Sequence, residues 1–312
     1  MEIRNLGQSG LRVSAIGLGC NNFGGRIDEE ATKAVIHRAL DLGITLFDTA
    51  DTYGERGGSE TLMGRILGAN RKRIVLATKF AMPMDDTGEM QGGSRRYIMR
   101  AVEDSLRRLQ TDYIDLYQMH QTDPRTPIEE SLRALDDLVR QGKVRYVGCS
   151  NFPAWQVVDA AWTAKTAGLN HFVSCQDEYS LVRRDIEAEL MPAARRLGMG
   201  LLPYFPLASG LLTGKYRRNV ALPEGTRLAK TQRLADRYLT ERNWAIAERL
   251  GDFVESRGHG MLDLAFSWLL AQAPVASVIA GATKPEQLDQ NVKAGSWALT
   301  TEDLADIDRL TA

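Results

Sequence analysis

Cysteine is scarce in this chain: Cys20, Cys149 and Cys175 are the only three among 312 residues. They form no C-x-x-C pair and leave one thiol over, which argues against a disulfide scaffold and suits a reducing cytosol. They read as packing residues rather than redox or metal groups. Long apolar runs are missing as well. No stretch approaches the ~18 residues needed to cross a bilayer. The amino terminus, MEIRNLGQSGLRVSAIGLG, has Glu2, Arg4 and Arg12 interrupting its apolar residues and lacks a signal-peptide core. Neither sign of charge dominates: 39 Lys and Arg against 40 Asp and Glu leave a net charge of -1, and no basic stripe accompanies a nucleic-acid motif. Phosphate-loop motifs are incomplete. GLGCNNFGG lacks a full G-x-G-x-x-G, and GLLTGKY is one spacer short of a P-loop and carries Tyr216 after Lys215. These absences point to a cytoplasmic protein with a small-molecule partner, without nucleic acid, membrane or metal, and with no feature calling for an oligomer.

Apolar residues make up 44% and charged residues 25% of the chain, enough to bury a large core. A repeated unit runs through it: a short apolar run, a polar turn, then a segment of helical periodicity. Eight runs read as strands, near Ala15–Gly19, Thr45–Asp48, Ile74–Lys79, Ile114–Met119, Val144–Ser150, Phe172–Gln176, Leu201–Tyr204 and Ala276–Ala280. Between them, EEATKAVIHRALDLG, SRRYIMRAVEDSLRRLQ, PIEESLRALDDLVRQG, PAWQVVDAAWTAKTAG and DIEAELMPAARRLG place apolar residues at i, i+3, i+4 and i+7, and several end on glycine. Eight strand–helix alternations with right-handed crossovers close into a (β/α)8 barrel, expected here as one domain over residues 1–312. A hairpin of EIRNL and LRVSAIG is expected to cap the amino-terminal mouth of the barrel. The long stretch from Ser209 to about Thr240 is expected to be irregular and functional.

Four polar residues, Asp48, Tyr53, Lys79 and His120, stand at the ends of successive strand units, where a parallel barrel gathers its chemistry. Tyr53 is a phenol of ordinary pKa near ~10, and a neighbouring cation would lower that value. Lys79 can supply the charge, Asp48 can hold Lys79, and His120 can hydrogen-bond a carbonyl oxygen. A polarised carbonyl and a tyrosine acid, with no metal set, call for hydride from an organic cofactor. Singly, each has an ordinary reading: Asp48 as a turn former, Tyr53 as a rim aromatic, Lys79 as a solvated strand-end cation, His120 as a loop histidine. Their joint position favours chemistry.

The segments that carry these residues, DTADTYG, LATKF and LRRLQTDYIDLYQMH, resemble the aldo-keto reductase family, in its bacterial type. So do GKVRYVGCSNF, SCQDEYSL, LPYFPLASGLLTGKY and IAGATKPEQLDQN, so that the resemblance covers essentially the whole chain. It implies a TIM-barrel oxidoreductase that reduces an aldehyde or ketone with NADPH, with NADH weaker. Tyr53 would be the general acid, Lys79 and Asp48 would tune it, and His120 would orient the carbonyl. It implies a cofactor extended across the barrel mouth near Gly19, Cys20 and Asn21, with Ser150, Asn151 and Gln176 on the carboxamide and Tyr204 stacked on the ring. Phe205, Pro206, Leu207, Ser209, Gly210, Leu212 and Lys215 would lie along the pyrophosphate, and Gly281, Thr283, Lys284, Gln287, Gln290 and Asn291 at the adenosine end. Asn21, Phe23, Tyr53 and His120 would line the substrate pocket.

Two positions depart from the family pattern. Asn21 stands where many members carry a tryptophan, and Gln287 and Gln290 stand where many carry an arginine and a glutamate for the adenosine end. A preference for NADPH is nevertheless expected, because Ser209–Thr240 contains Lys215, Arg217, Arg218, Arg227, Lys230, Arg233 and Arg237 against Glu224 and Asp236. Two rivals are weighed. One is a cofactor-binding regulatory partner resembling potassium-channel β subunits, disfavoured because no segment precedes the hairpin. The other is an aldolase-like barrel using Lys79 as a Schiff base, disfavoured because Asp48 would keep the lysine protonated.

Overall fold

A computed structural model describes Met1–Ala312 and shows a closed (β/α)8 barrel with a hairpin beneath it. The hairpin strands β1 (Ile3–Asn5) and β2 (Arg12–Ser14) pair antiparallel, Ile3 facing Ser14. The barrel strands are β3 (Ile16–Gly19), β4 (Leu46–Asp48), β5 (Val75–Phe80), β6 (Ile114–Met119), β7 (Val144–Ser150), β8 (Ser174–Glu178), β9 (Gly200–Tyr204) and β10 (Val278–Gly281). From β3 to β9 each strand pairs in parallel with the next, and β10 pairs back onto β3. The seam between β9 and β10 is narrow. Only Leu201 bridges it, donating to Pro274 O at 3.0 Å and accepting from Ala276 N at 3.0 Å, just ahead of β10.

The eight expected strands stand within a residue or two of their places. Helices cover their outer faces, which is why the strands read as near-continuous apolar runs. The helices are α1 (Glu29–Asp41), α2 (Tyr53–Leu67), α3 (Arg95–Leu109), α4 (Ile128–Arg140), α5 (Ala154–Ala167), α6 (Leu190–Leu197), α7 (Arg227–Lys230), α8 (Gln232–Tyr238), α9 (Glu241–Ser256), α10 (Met261–Ala271), α11 (Pro285–Ala294) and α12 (Thr301–Thr311). Two expectations change. DIEAELMPAARRLG is a 3₁₀ turn at Asp185–Glu187 followed by α6, because Glu189 leaves the helical region at φ -130°. The stretch after β9 is not wholly irregular: a 3₁₀ segment over Ala208–Thr213, then α7 and α8, arch across the barrel's carboxyl mouth.

Alternation inside the barrel separates structure from chemistry. Leu46, Ala77, Leu116 and Leu202 point inward and join Leu6 and Val13 of the hairpin region in one apolar cluster that plugs the amino-terminal end. Arg4 fastens the hairpin by donating to Leu270 O at 2.9 Å and Val275 O at 3.2 Å. Two residues further along the same four strands, a period of two brings Asp48, Lys79, Gln118 and Tyr204 to the interior one layer higher. The apolar floor thus supports a polar layer that opens toward the carboxyl mouth.

Candidate active site

Lys79 is fully enclosed, and Asp48 is 3% exposed. Lys79 Nζ donates to Asp48 Oδ2 at 2.6 Å and to Thr49 O at 2.8 Å. The other oxygen of Asp48 accepts from Gln118 Nε2 at 3.0 Å and from Gln176 Nε2 at 2.9 Å. Each charge is therefore paired and hydrogen-bonded, the condition under which a buried ion pair is tolerable. An ammonium has three N–H groups. Two are used, and the remaining one is left for Tyr53, whose ring centroid lies 5.0 Å from Nζ.

Burial lowers the pKa of Lys79, but Asp48 and Tyr53 more than compensate and the net direction is upward, so the lysine stays charged. A protonated lysine is a poor Schiff-base nucleophile. For Tyr53 the outcome differs from the sequence expectation. Burial raises the phenol, Lys79 pulls it down without overcoming burial, and the net shift is upward. His120 is held well below its ordinary pKa, chiefly by burial and then by the charge of Lys79, and so is neutral at physiological pH. Its ring meets Tyr53 edge-on at 5.8 Å between centroids, and Nδ1 is buried without a partner.

Tyr53 owes its placement to an unusual turn. Gly54, Glu55 and Arg56 all adopt left-handed dihedrals (φ 68°, 59° and 67°), and Gly57 follows at φ 113° before α2 becomes regular. Left-handed residues with a side chain cost roughly 1 kcal/mol or more each. Glycine is required at two of the four: a Cβ on Gly54 would lie 2.5 Å from Phe23 O, and one on Gly57 would lie 2.6 Å from Arg108 Cδ. Arg108 is anchored by Glu60 at 2.7 Å and forms the floor of the turn.

The expected carboxamide residues form one chain of hydrogen bonds. Tyr204 OH donates to Asn151 Oδ1 at 2.8 Å, Asn151 Nδ2 donates to His120 O at 3.0 Å and to Ser150 Oγ at 3.0 Å, and Ser150 donates to Gln176 O at 2.8 Å. Gln176 also donates to Gln118 Oε1 at 3.3 Å, so its NH₂ group serves Asp48 and Gln118 and its oxygen is what it can offer a ligand. Ala208, Ser209 and Gly210 run through positive φ (46°, 57° and 104°), curling the backbone, and Ser209 Oγ is buried without a partner. Gly281, at the end of β10, faces Asn21 and Asn22: an added Cβ would stand 3.2 Å from Asn21 Oδ1 and 3.0 Å from Asn22 Nδ2. Gly19 and Cys20 are buried, and burial pushes the Cys20 thiol up, so only their backbone is available.

Several expected roles look different in three dimensions. Phe23 is fully enclosed in the core instead of facing a pocket. Gln287 Oε1 accepts from Thr283 N at 2.7 Å and Lys284 N at 3.3 Å, capping its own helix, while Lys284 and Gln290 are exposed and Asn291 is buried. The cation excess after β9 is partly internal: Arg218 pairs with Glu241 and Glu248, and Arg237 with Glu178. Sequence reasoning passed over Gln118, although its spacing of two from Leu116 places it inside the barrel. It also passed over Asn22, whose Nδ2 donates to Ala282 O at 3.2 Å and whose Oδ1 has no partner.

The aldo/keto reductase family model matches residues 15–312. The chain belongs to the aldo/keto reductase family. An uncharacterized oxidoreductase of Bacillus subtilis (strain 168), YrpG, is 40% identical, the match covering 97% of this chain and 93% of the relative. An L-glyceraldehyde 3-phosphate reductase of Escherichia coli O157:H7 is 36% identical, with 99% and 92% covered. A probable voltage-gated potassium channel subunit beta of Oryza sativa subsp. japonica is 35% identical, with 94% and 91% covered. Relatives of the aldo/keto reductase chain thus include proteins named for reduction and proteins named for channels, at nearly equal identity. Membership and the reductase relatives support an oxidoreductase that handles small carbonyl compounds. No helix of the chain is long and apolar enough to cross a membrane.

Proposed function

We propose that the protein, a single catalytic barrel over residues 1–312 acting in the cytoplasm, reduces an aldehyde or ketone to the alcohol with NADPH, using Tyr53 as general acid. The observation that carries this reading is the buried Asp48–Lys79 pair set directly beneath Tyr53 and beside a neutral His120. The residues along the mouth fit a nicotinamide dinucleotide. Tyr204 and the Ser150–Asn151–Gln176 chain would hold its nicotinamide end, the curled backbone and orphan hydroxyl of Ser209 its pyrophosphate, and Gly281 through Asn291 its adenosine. When bound, that group supplies the hydride for the carbonyl carbon.

The chain's own residues supply the rest. A neutral His120 donates an N–H to the carbonyl oxygen and polarises it. The upward shift of Tyr53 keeps its proton in place at neutral pH, so the acid is loaded before each turnover. As the oxygen becomes negative, Tyr53 O–H transfers its proton to it, and Lys79, held charged by Asp48, stabilises the phenolate left behind. Gln118 and Gln176 hold Asp48 in place, so that the lysine does not swing away. The regulatory reading shares the fold, but it assigns no task to a charged lysine buried under a half-buried phenol.

The deciding experiment is a panel of aldehydes and ketones, glyceraldehyde 3-phosphate and glyceraldehyde included, followed by loss of NADPH absorbance. Oxidation of NADPH in step with alcohol formation is the expected result. A panel that leaves NADPH untouched would overturn the reading.

A further inference from the structure

A further ion pair is enclosed behind Tyr53. Glu60, near the start of the regular part of α2, has no exposed surface, and Arg108 of α3 donates to it from Nε at 2.7 Å. The other oxygen of Glu60 accepts from Thr78, the residue before Lys79 on β5. Ser59, its neighbour, donates to Cys20 O at 2.9 Å and lies 2.8 Å from the hydroxyl of Thr49, whose carbonyl receives Lys79. The start of α2 is thus bolted to β5 and to the end of β4, the two places that hold the Asp48–Lys79 pair. Tyr53 hangs from this point by the left-handed turn. Glu55 and Arg56 of the turn are exposed, and the pairing of Arg56 with exposed Asp86 is open to solvent and contributes little. On the inside, Gly57 is buried against the aliphatic stem of Arg108.

The ion pair is not needed to dock α2 on α3. Gly64 already brings the two helices together backbone to backbone, since a Cβ added there would lie 2.3 Å from Arg108 O. Nor does an enclosed pair favour stability as such: removing both charges from water costs about as much as their attraction returns, and neutral groups of similar volume serve as well. What the pair adds is direction. The bond from Nε to Glu60 and one from Nη2 to Ser105 Oγ at 3.3 Å together fix where the stem of Arg108 lies. Gly57 stands on that stem, four residues after Tyr53.

We propose that the Glu60–Arg108 pair is a positioning device for the general acid, fixing the turn that sets Tyr53 against Lys79. The proposal rests on the carbonyl-reductase reading and gives a task to two residues outside its chemistry. Through Thr78 the same carboxylate is tied one residue from Lys79, so a single ion pair keeps the phenol and the ammonium in register.

The test uses two double variants, Glu60→Gln with Arg108→Met and Glu60→Gln with Arg108→Gln. Both remove the two charges together and leave an oxygen for Thr78. Beside them stands Arg108→Lys, which keeps a charge opposite Glu60. Steady-state reduction of butanal, NADPH dissociation constants, urea midpoints and crystal structures are compared with wild type. The double variants should keep or exceed the wild-type midpoint, hold NADPH within about twofold, and lose about tenfold to a hundredfold in kcat with KM little changed, the loss expected for a reacting group displaced by ~1 Å. Arg108→Lys should recover most of that loss, and in crystals of a double variant Tyr53 should stand further from Lys79. A wild-type kcat in either double variant, or Tyr53 unmoved in its crystals, would overturn the proposal. Failure of both double variants to fold would do so as well, by assigning the pair to stability. The crystal structures separate this proposal from the reading it rests on. A displaced Tyr53, in a protein whose wild type reduces nothing, would retain the positioning role and remove the reductase assignment. An unmoved Tyr53, with reduction intact in wild type, would do the reverse.

Discussion

Burial and a neighbouring cation act on Tyr53 in opposite directions, and the balance defines its use. Burial holds the proton on, and Lys79 favours the phenolate. Tyr53→Phe should therefore lower kcat by several orders of magnitude while moving the NADPH dissociation constant by less than about threefold, since the proton matters only in the transition state. Single-turnover absorbance and equilibrium fluorescence titration check the two halves. The adenosine end carries a second expectation. Lys284 is exposed and unpaired beside Thr283, so a 2′-phosphate could gain one charge-assisted bond there, but Gln287 is spent on capping. The preference for NADPH over NADH should accordingly be modest, on the order of tenfold, and should shrink in Lys284→Ala. Dissociation constants for both cofactors decide it, and equal values in wild type would remove the preference.

Among the elements, α2 shows where sequence reading stops. The strands were legible because burial on both faces leaves apolar runs of fixed length. Asp48, Lys79 and His120 were legible because they end such runs. The glycines of YGERGG permit a left-handed turn, but Glu55 and Arg56 have no propensity for it; the turn is fixed by the close approach of Phe23 and Arg108. The same limit hid Gln287, whose capping bond depends on where Thr283 ends up, and the pairing of Arg218 and Arg237 with carboxylates more distant in sequence. The strain makes a testable statement. Glu55→Gly should relieve about 1 kcal/mol of backbone cost and raise the urea midpoint, while loosening Tyr53 and lowering kcat a few-fold. A variant both stabilised and fully active would show that the turn has no part in placing the phenol.

Across the whole molecule, pH acts through groups that the fold has desolvated. Asp177 on β8 is 8% exposed, its Oδ2 has no partner, and burial pushes its pKa up to about 8. A carboxyl raised in the folded state binds its proton more tightly there than in the unfolded chain. Its contribution is therefore fully present below the ordinary carboxyl range and is lost as pH rises toward 8. His120 has the opposite sign: depressed by burial, it favours folding above its ordinary pKa and destabilises as pH falls below it. Urea melts from pH 5 to 8 should show wild type losing stability relative to Asp177→Asn by on the order of 1 kcal/mol per pH unit. Parallel curves for the two proteins would mean that Asp177 is solvated in solution.

The narrow seam at Leu201 bears on how the barrel opens. Elsewhere neighbouring strands share a ladder, and β6 and β7 have five paired positions, but here two backbone bonds from one residue complete the circle. The amides of Leu201 and Ala276 should thus report the lowest-energy partial opening and exchange with deuterium ahead of those of β6 and β7. The proposed dinucleotide positions fall on both sides of this gap, Leu207 to Leu212 following β9 and Gly281 to Asn291 following β10. A ligand lying across them would act as a hoop around a split stave, slowing exchange at a joint it does not touch and coupling occupancy of the mouth to the integrity of the wall.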